Sequence, residues 1–439
     1  MTNSPIYQRP AELLQKLIQF DTTNPPGNEM ACVEYVKSLL DAADIPSICL
    51  AKDPNRPNLI ARLKGRGEAP PLLLQGHVDV VTTAGQSWSH PPFAAELADD
   101  FVWGRGALDM KGGVAMMLAA FLRANAEGAN LPGDVILTVL ADEEAGGEYG
   151  AKFLVQEHAE QFDGVRYALG EFGGFTLFVG GQRFYPIMVA EKQICWLKIT
   201  IHGPAGHGSM PVRGGAMARL GEVLQTLDRK RLPVHITEAA QHMLGGIAEH
   251  VAFPTNFALR QLLNPALTDK MLNVLGEQVR LFDPLLHNTV SPTGLRASDK
   301  VNVIPGQVEL QLDGRLLPGF TPADMLAELH ALLGDDLDIE VKIHDPGPPQ
   351  PDMGLFDTLA DILQDADVDG VAVPLLLSGV TDARFFAQLG IQTYGFLPMQ
   401  LPPEFNFAQT IHAADERIPA AALDFGTAAI YQALQRFGE

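Results

Sequence analysis

Seven residues of this 439-residue sequence pair the right side chains with the right places for cation or proton chemistry. His77 and Asp79 close one apolar run as H-V-D, and Asp109 sits in a glycine-rich turn, GRGALDMKGG. Glu143 and Glu144 close a second run, Glu171 closes a third, and His412 stands near the C-terminus in IHAADERI. Imidazole nitrogen and carboxylate oxygen ligate catalytic zinc, which keeps a position open for water, and a two-metal site needs a group shared between its ions. The seven together supply donors for two ions and a bridge. Taken singly, each has a plainer reading, because H-x-D occurs by chance, paired glutamates are usually solvated and a lone histidine is more often surface or core. Taken jointly, acidic and imidazole groups ending several apolar strands would need cations to offset their desolvation, which predicts a dinuclear centre.

Such groups must be gathered by a scaffold, and the apolar pattern describes one. Leu13, Leu14, Leu17 and Ile18 fall at helical spacing, and the turn formers TTNPPG at 22–27 stop that helix. Short apolar runs at 58–63, 71–81, 134–144 and 167–171 alternate with helical stretches at 112–126 and 150–158. That alternation predicts an α/β fold with a largely parallel sheet, whose ligands collect beyond the carboxyl ends of the strands. From Lys192 the order becomes βαββαβ, with strands at 196–203 (WLKITIHG), 292–304, 307–316 and 337–344 and helices at 215–229 and 321–334. This is the plan of a smaller ferredoxin-like α+β domain inserted into the first. The expected division is residues 1–191 and 347–439 for a metal-binding catalytic domain and 192–346 for the insert. Residues 233–290 exceed the plan and read as helical elaborations of the insert. The proline-rich stretch 344–354 reads as the return linker, before a helix at 355–365, a strand at 391–397 and a last helix near 417–435.

Composition removes other classes of function. Acidic residues outnumber basic ones, 53 to 31, and a formal charge of −22 repels nucleic acid and anionic lipid. The opening stretch lacks the pattern of a secretory signal, and no apolar run reaches the roughly 20 residues of a bilayer span, so a cytoplasmic location without membrane contact is expected. Cys32, Cys49 and Cys195 are widely spaced and odd in number, and read as buried free thiols.

The segments TTNPPGNE, QGHVDVV, GRGALDMKGG, ADEEAGG, AEKQICWLKITIHGPAGHGS, KVNVIPG, LDGRLLPG, SGVTDARFF and IHAADERI resemble, in order, the motifs of the M20 metallopeptidases. That family includes aminoacylases, glutamate carboxypeptidases, succinyl-diaminopimelate desuccinylases and carboxypeptidase S-like enzymes, and the segments around 88–111 and 394–418 lean towards the last branch. The resemblance implies two divalent ions per chain, Zn²⁺ first and Co²⁺ or Mn²⁺ as alternatives. It assigns His77 and Glu171 to one ion, Glu144 and His412 to the other, and Asp109 to the bridge, with a cis bond after Asp109. Asp79 would orient His77, and Glu143 would be the general base that activates water. His207 would reach a neighbouring active site across a homodimer formed by the insert. Asn302, Arg315 and Arg384 would bind substrate, although Arg315 and Arg384 could equally be paired with Asp313 or Asp382. The implied reaction is hydrolysis of an amide or peptide bond next to a free carboxylate, in an N-acyl amino acid or short peptide. One departure is E-F-G-G at 171–174, where relatives often place glycine directly after the acid, and Asp163 is the nearest substitute ligand. The alternative, a catalytically silent relative, predicts the loss of Glu143 or of a ligand, and none is lost.

Overall fold

The computed structural model describes residues 4–439, without the side chains of 277–280. Residues 1–3 of the stretch read for a leader, and the side chains of 277–280 within the stretch read as helical, thus lie outside the described residues.

A nine-stranded sheet carries the larger core. Its order is Ser47–Leu50, Asn58–Leu63, Val135–Leu140, Leu72–His77, Tyr167–Gly170, Gln392–Gly395, Gln182–Glu191 and Gly370–Leu377, with Leu177–Val179 paired to Gln182–Glu191. The middle of the sheet is parallel, from Val135–Leu140 through Leu72–His77 and Tyr167–Gly170 to Gln392–Gly395. Every residue of Leu72–His77 and of Val135–Leu140 is buried, as expected for parallel strands covered on both faces. Because these strands run the same way, the ends carrying His77, Glu143, Glu144 and Glu171 open on one edge.

Helix Lys111–Ala126 is apolar around almost its whole circumference, which suits a position between the sheet and other helices. It packs against Pro10–Ile18, Ala420–Arg436 and the strand Leu72–His77. Its first turn explains the paired glycines of GRGALDMKGG. A Cβ on Gly112 would lie 2.2 Å from the carbonyl oxygen of Ala107, and one on Gly113 would lie 2.8 Å from Leu397. Only glycine lets the helix start this close to the turn that presents Asp109.

The smaller sheet is antiparallel, in the order Thr289–Arg296, Gln307–Leu316, Gln193–His202, Asp338–His344. With helices Ala216–Arg229 and Pro322–Leu333 it realises the expected ferredoxin-like βαββαβ order. Leu197, Ile199 and Ile201 of the sheet and Leu220, Val223, Met325 and Leu329 of the helices form its separate core. Thr321 and Asp324 close a capping box at the start of Pro322–Leu333.

Two expectations need correction, and two strands were not read at all. Residues 233–290 are helical, but Ala239, Ala240, Met243, Leu244 and Ile247 of helix Glu238–His250 pack on the strand Gly370–Leu377 and join the core of the large sheet. The edge strand needs a cover, and this apolar helical stripe provides it. Strands Gln182–Glu191 and Gly370–Leu377 had no place in the sequence analysis, and each contains a proline, a residue that local propensity sets against an interior strand. They pair with each other in parallel, Pro186 opposite Val373 and Pro374 opposite Ile187. Cys32 and Cys195 are buried, but Cys49 is exposed on the edge strand Ser47–Leu50.

Among the described residues, no helix is long and apolar enough to cross a membrane.

Candidate metal centre

His77 ends its strand with a side chain 1% exposed. Its Nδ1 lies 3.0 Å from the main-chain oxygen of Asp79, so an Nδ1–H donated there would leave the Nε2 lone pair to an ion once Nε2 gives up its proton. Nε2 faces Asp109 Oδ1 at 3.2 Å and Glu171 Oε2 at 3.5 Å. On the other side, His412 Nε2 lies 3.0 Å from Asp109 Oδ2 and 3.3 Å from Glu144 Oε1. Asp109 thus offers one oxygen to each imidazole, and the peptide bond following it is cis. One ligand atom each from His77, Asp109 and Glu144 fall within 4.8 Å of one another, as do one each from His77, Glu143 and Glu171.

Asp79 does more than orient a ring. Its two carboxylate oxygens accept the amides of Glu143 and Glu144 at 3.1 Å each, fixing the turn that presents both glutamates. Asn24 donates to the same carboxylate at 2.8 Å and to Asp142 Oδ1 at 3.0 Å. Arg56 then bridges Asp142 at 2.8 Å and Glu29 at 2.7 Å, all within the buried interior. Asn24 and Glu29 belong to TTNPPGNE, a segment read from the sequence as the stop of a helix and given no part in the site there. Asp142 takes a left-handed backbone with φ 68°.

Burial pushes the Glu143 carboxyl well above the ordinary range, and the neighbouring Glu171 charge adds to this. Glu171 and Glu144 are raised chiefly by burial too. Burial also opposes ionisation of Asp109, but hydrogen bonds from His412 and His77 outweigh it and hold that carboxylate below its usual range. The same contacts raise both rings, His77 against the effect of its burial and His412 to about 10 through Asp109 and then Glu144. So many carboxylates in one buried pocket require positive charge, and the Glu144 oxygen nearest His412 is itself buried without a hydrogen bond. The donor set, two imidazoles and hard carboxylate oxygens around a shared aspartate, fits two divalent cations.

The remaining candidates lie apart from this group or are otherwise engaged. Asp163 is exposed ahead of its strand, while Glu171 is buried in the cluster. Phe172, in the place where glycine was expected, adopts φ 68° and sets its ring edge-on to Phe407 at 5.8 Å. His207 lies on a two-residue strand paired with Val303–Ile304 and contacts Ser209 at 2.7 Å, not the cluster, among the described residues. Asn302 faces it, accepting the Gly208 amide on its carbonyl at 2.8 Å. Arg315 is held by Asp313 through two bonds of 2.8 and 3.2 Å, the ion pair that the sequence left open. Arg384 is buried over the Phe385 ring, with Nε 3.7 Å from Asp345 and without a hydrogen bond. Asp382, buried with neither carboxylate oxygen bonded, was also missed as a neighbour of the centre; burial raises it to about 7.

The family model for peptidase family M20/M25/M40 matches residues 73–436. A probable carboxypeptidase S-like 2 of Dictyostelium discoideum is 26% identical over 373 residues, covering 82% of this chain and 70% of that one. The human N-fatty-acyl-amino acid synthase/hydrolase PM20D1 is 27% identical over 385 residues, covering 83% and 74%. The crystal structure of an M20 family metallo-carboxypeptidase, Sso-CP2 from Sulfolobus solfataricus, superposes with a TM-score of 0.67 over 98% of this chain and 99% of the other, at 15% identity, a likeness of fold. With a family match over most of its length and the clustered donors of His77, Asp109, Glu144, Glu171 and His412, the chain belongs to the M20 metallopeptidases.

Proposed function

We propose that the protein hydrolyses the amide bond of an N-acyl amino acid or short peptide beside a free carboxylate, as a cytoplasmic homodimer using two Zn²⁺ ions. The observation carrying this reading is Asp109, whose two oxygens address His77 Nε2 at 3.2 Å and His412 Nε2 at 3.0 Å. His77 and Glu171 would hold one ion, Glu144 and His412 the other. Bound there, the pair would polarise the scissile carbonyl and make a water acidic enough to lose its proton near neutral pH.

The protein's own residues do the rest. Glu143, set by Asp79 beside His77 and Glu171, takes the proton from water and returns it to the leaving nitrogen. Arg384, buried with an unsatisfied Nε, is suited to a substrate carboxylate, whereas Arg315 would first have to leave Asp313. His207 and Asn302 lie at an exposed pair of short strands with Met210, Val212, Val301 and Val303, an apolar surface suited to a second copy whose centre His207 would complete. The carboxypeptidase and N-fatty-acyl-amino acid names of the relatives support the substrate class.

The test is hydrolysis of a panel of N-acyl amino acids and dipeptides by wild type and Glu143→Ala, with metal content measured on both. Two ions in each protein and turnover only in wild type is the expected result. Equal turnover in both would rule out Glu143 as the base.

A further inference from the structure

We propose that Glu416 and Arg105 are positioning residues that hold the bridging Asp109 and the terminal ligand His412 in one geometry, an inference resting on the dinuclear reading above. Both are buried, with side chains 0% and 1% exposed, and their ion pair closes at 2.6 Å. The other oxygen of Glu416 accepts two consecutive amides, Leu108 at 2.8 Å and Asp109 at 3.1 Å. Arg105 uses its second nitrogen on the carbonyl of His412 at 3.2 Å and on Gln86 Oε1 at 2.8 Å. Gln86 in turn donates to the same His412 carbonyl at 2.8 Å. One carboxylate and one guanidinium therefore connect the backbone of the bridge to the backbone of a ligand 303 positions away in sequence.

His412 needs such a hold more than the other ligands do. It lies in a loop, its backbone is left-handed at φ 60°, and its side chain is 49% exposed. No strand fixes its direction. The surrounding chain is laced to the Asp109 turn at further points. Arg417–Pro419 pairs with Phe101–Trp103, Gly104 donates to the Glu416 carbonyl at 2.9 Å, and Ser89 donates to Asp415. The planar fork of Arg105 matches its role, because it reaches a carboxylate and two neutral acceptors at once, which a lysine ammonium on a flexible stem cannot reproduce.

The test is calorimetric titration of Zn²⁺ into metal-free wild type and Glu416→Gln, with circular dichroism to establish folding. Substitution of residues that orient metal ligands weakens affinity roughly 10–100-fold. Because both ions share Asp109, Glu416→Gln should bind each of them more weakly, by about 10–100-fold. Folded protein that binds both ions at wild-type affinity would overturn the proposal. If Glu416→Gln does not fold, Arg105→Lys decides by the same criterion. Wild type that takes up fewer than two ions would instead overturn the dinuclear reading itself.

Discussion

His77 and His412 face the same aspartate from opposite sides, yet the chain builds them by different means. His77 ends a fully buried parallel strand, its ring is bonded to the Asp79 carbonyl, and Asp79 is itself anchored through Asn24, Asp142, Arg56 and Glu29. His412 stands half exposed on a loop, held through its main chain by Arg105 and Gln86. One ligand inherits its direction from the sheet, and the other receives it from a few polar contacts. Packed elements fix a ligand at no separate cost in ordering, whereas a loop ligand depends on each hydrogen bond that restrains it.

Several substitutions test that contrast. The largest effect is expected at neither histidine: Glu143→Ala should lower kcat by about 10²–10⁴-fold with both ions retained, since a general base contributes on that order. Loss of an ion in this variant would show that Glu143 is a ligand and not a base. His77→Ala should destabilise the metal-free protein by about 3–5 kcal/mol in chemical denaturation, because it leaves buried carboxylates uncompensated. His412→Ala should cost less than His77→Ala, because its ring is 49% exposed and water can take its place beside Asp109 and Glu144. Equal losses in the two variants would erase the distinction between a sheet-held and a loop-held ligand. Zn²⁺ at a hundred times Kd should raise wild-type stability by about 2.7 kcal/mol for each ion bound, and His412→Ala should gain less at the same concentration.

The smallest effect serves as a control away from the centre. Lys192, at the start of the smaller sheet, is buried with its ammonium on the carbonyls of Pro284 and His287 and the hydroxyl of Thr289. Burial, assisted by Arg315, lowers it to about 7 from the ordinary 10.5. Between those values the unfolded chain binds more protons than the folded one, so this residue makes stability rise with pH from about 7 towards 10.5. Lys192→Met should flatten that rise in denaturation measured across the window and leave metal content unchanged. A change in metal content would mean that the two sheets are coupled through this residue.

The same contrast decides what could be read from the sequence. His77, Glu143, Glu144 and Glu171 were legible because each follows an apolar run, so periodicity alone announces an acid or imidazole at a strand end. The insert was legible from its alternating strands. Glu416, Arg105, Arg56 and Asn24 were visible only as letters inside motifs. Their roles arise from contacts across long separations, 308 residues between Glu416 and Leu108, and no local pattern encodes such a meeting. Phe172 shows the opposite limit: its departure from glycine was noticed, and the left-handed backbone that makes glycine the easier choice became apparent only in the fold. Gln182–Glu191 and Gly370–Leu377 were not read as strands, and the proline in each runs against the local propensity for the pairing that the sheet makes.

The central claim, one aspartate shared by two ions, is tested most directly by counting metal per chain by mass spectrometry on wild type and Asp109→Ala after reconstitution with Zn²⁺. The account predicts two ions in wild type, and fewer than two together with lost hydrolysis in the variant. Two ions in Asp109→Ala with hydrolysis intact, or fewer than one ion in wild type, would contradict it.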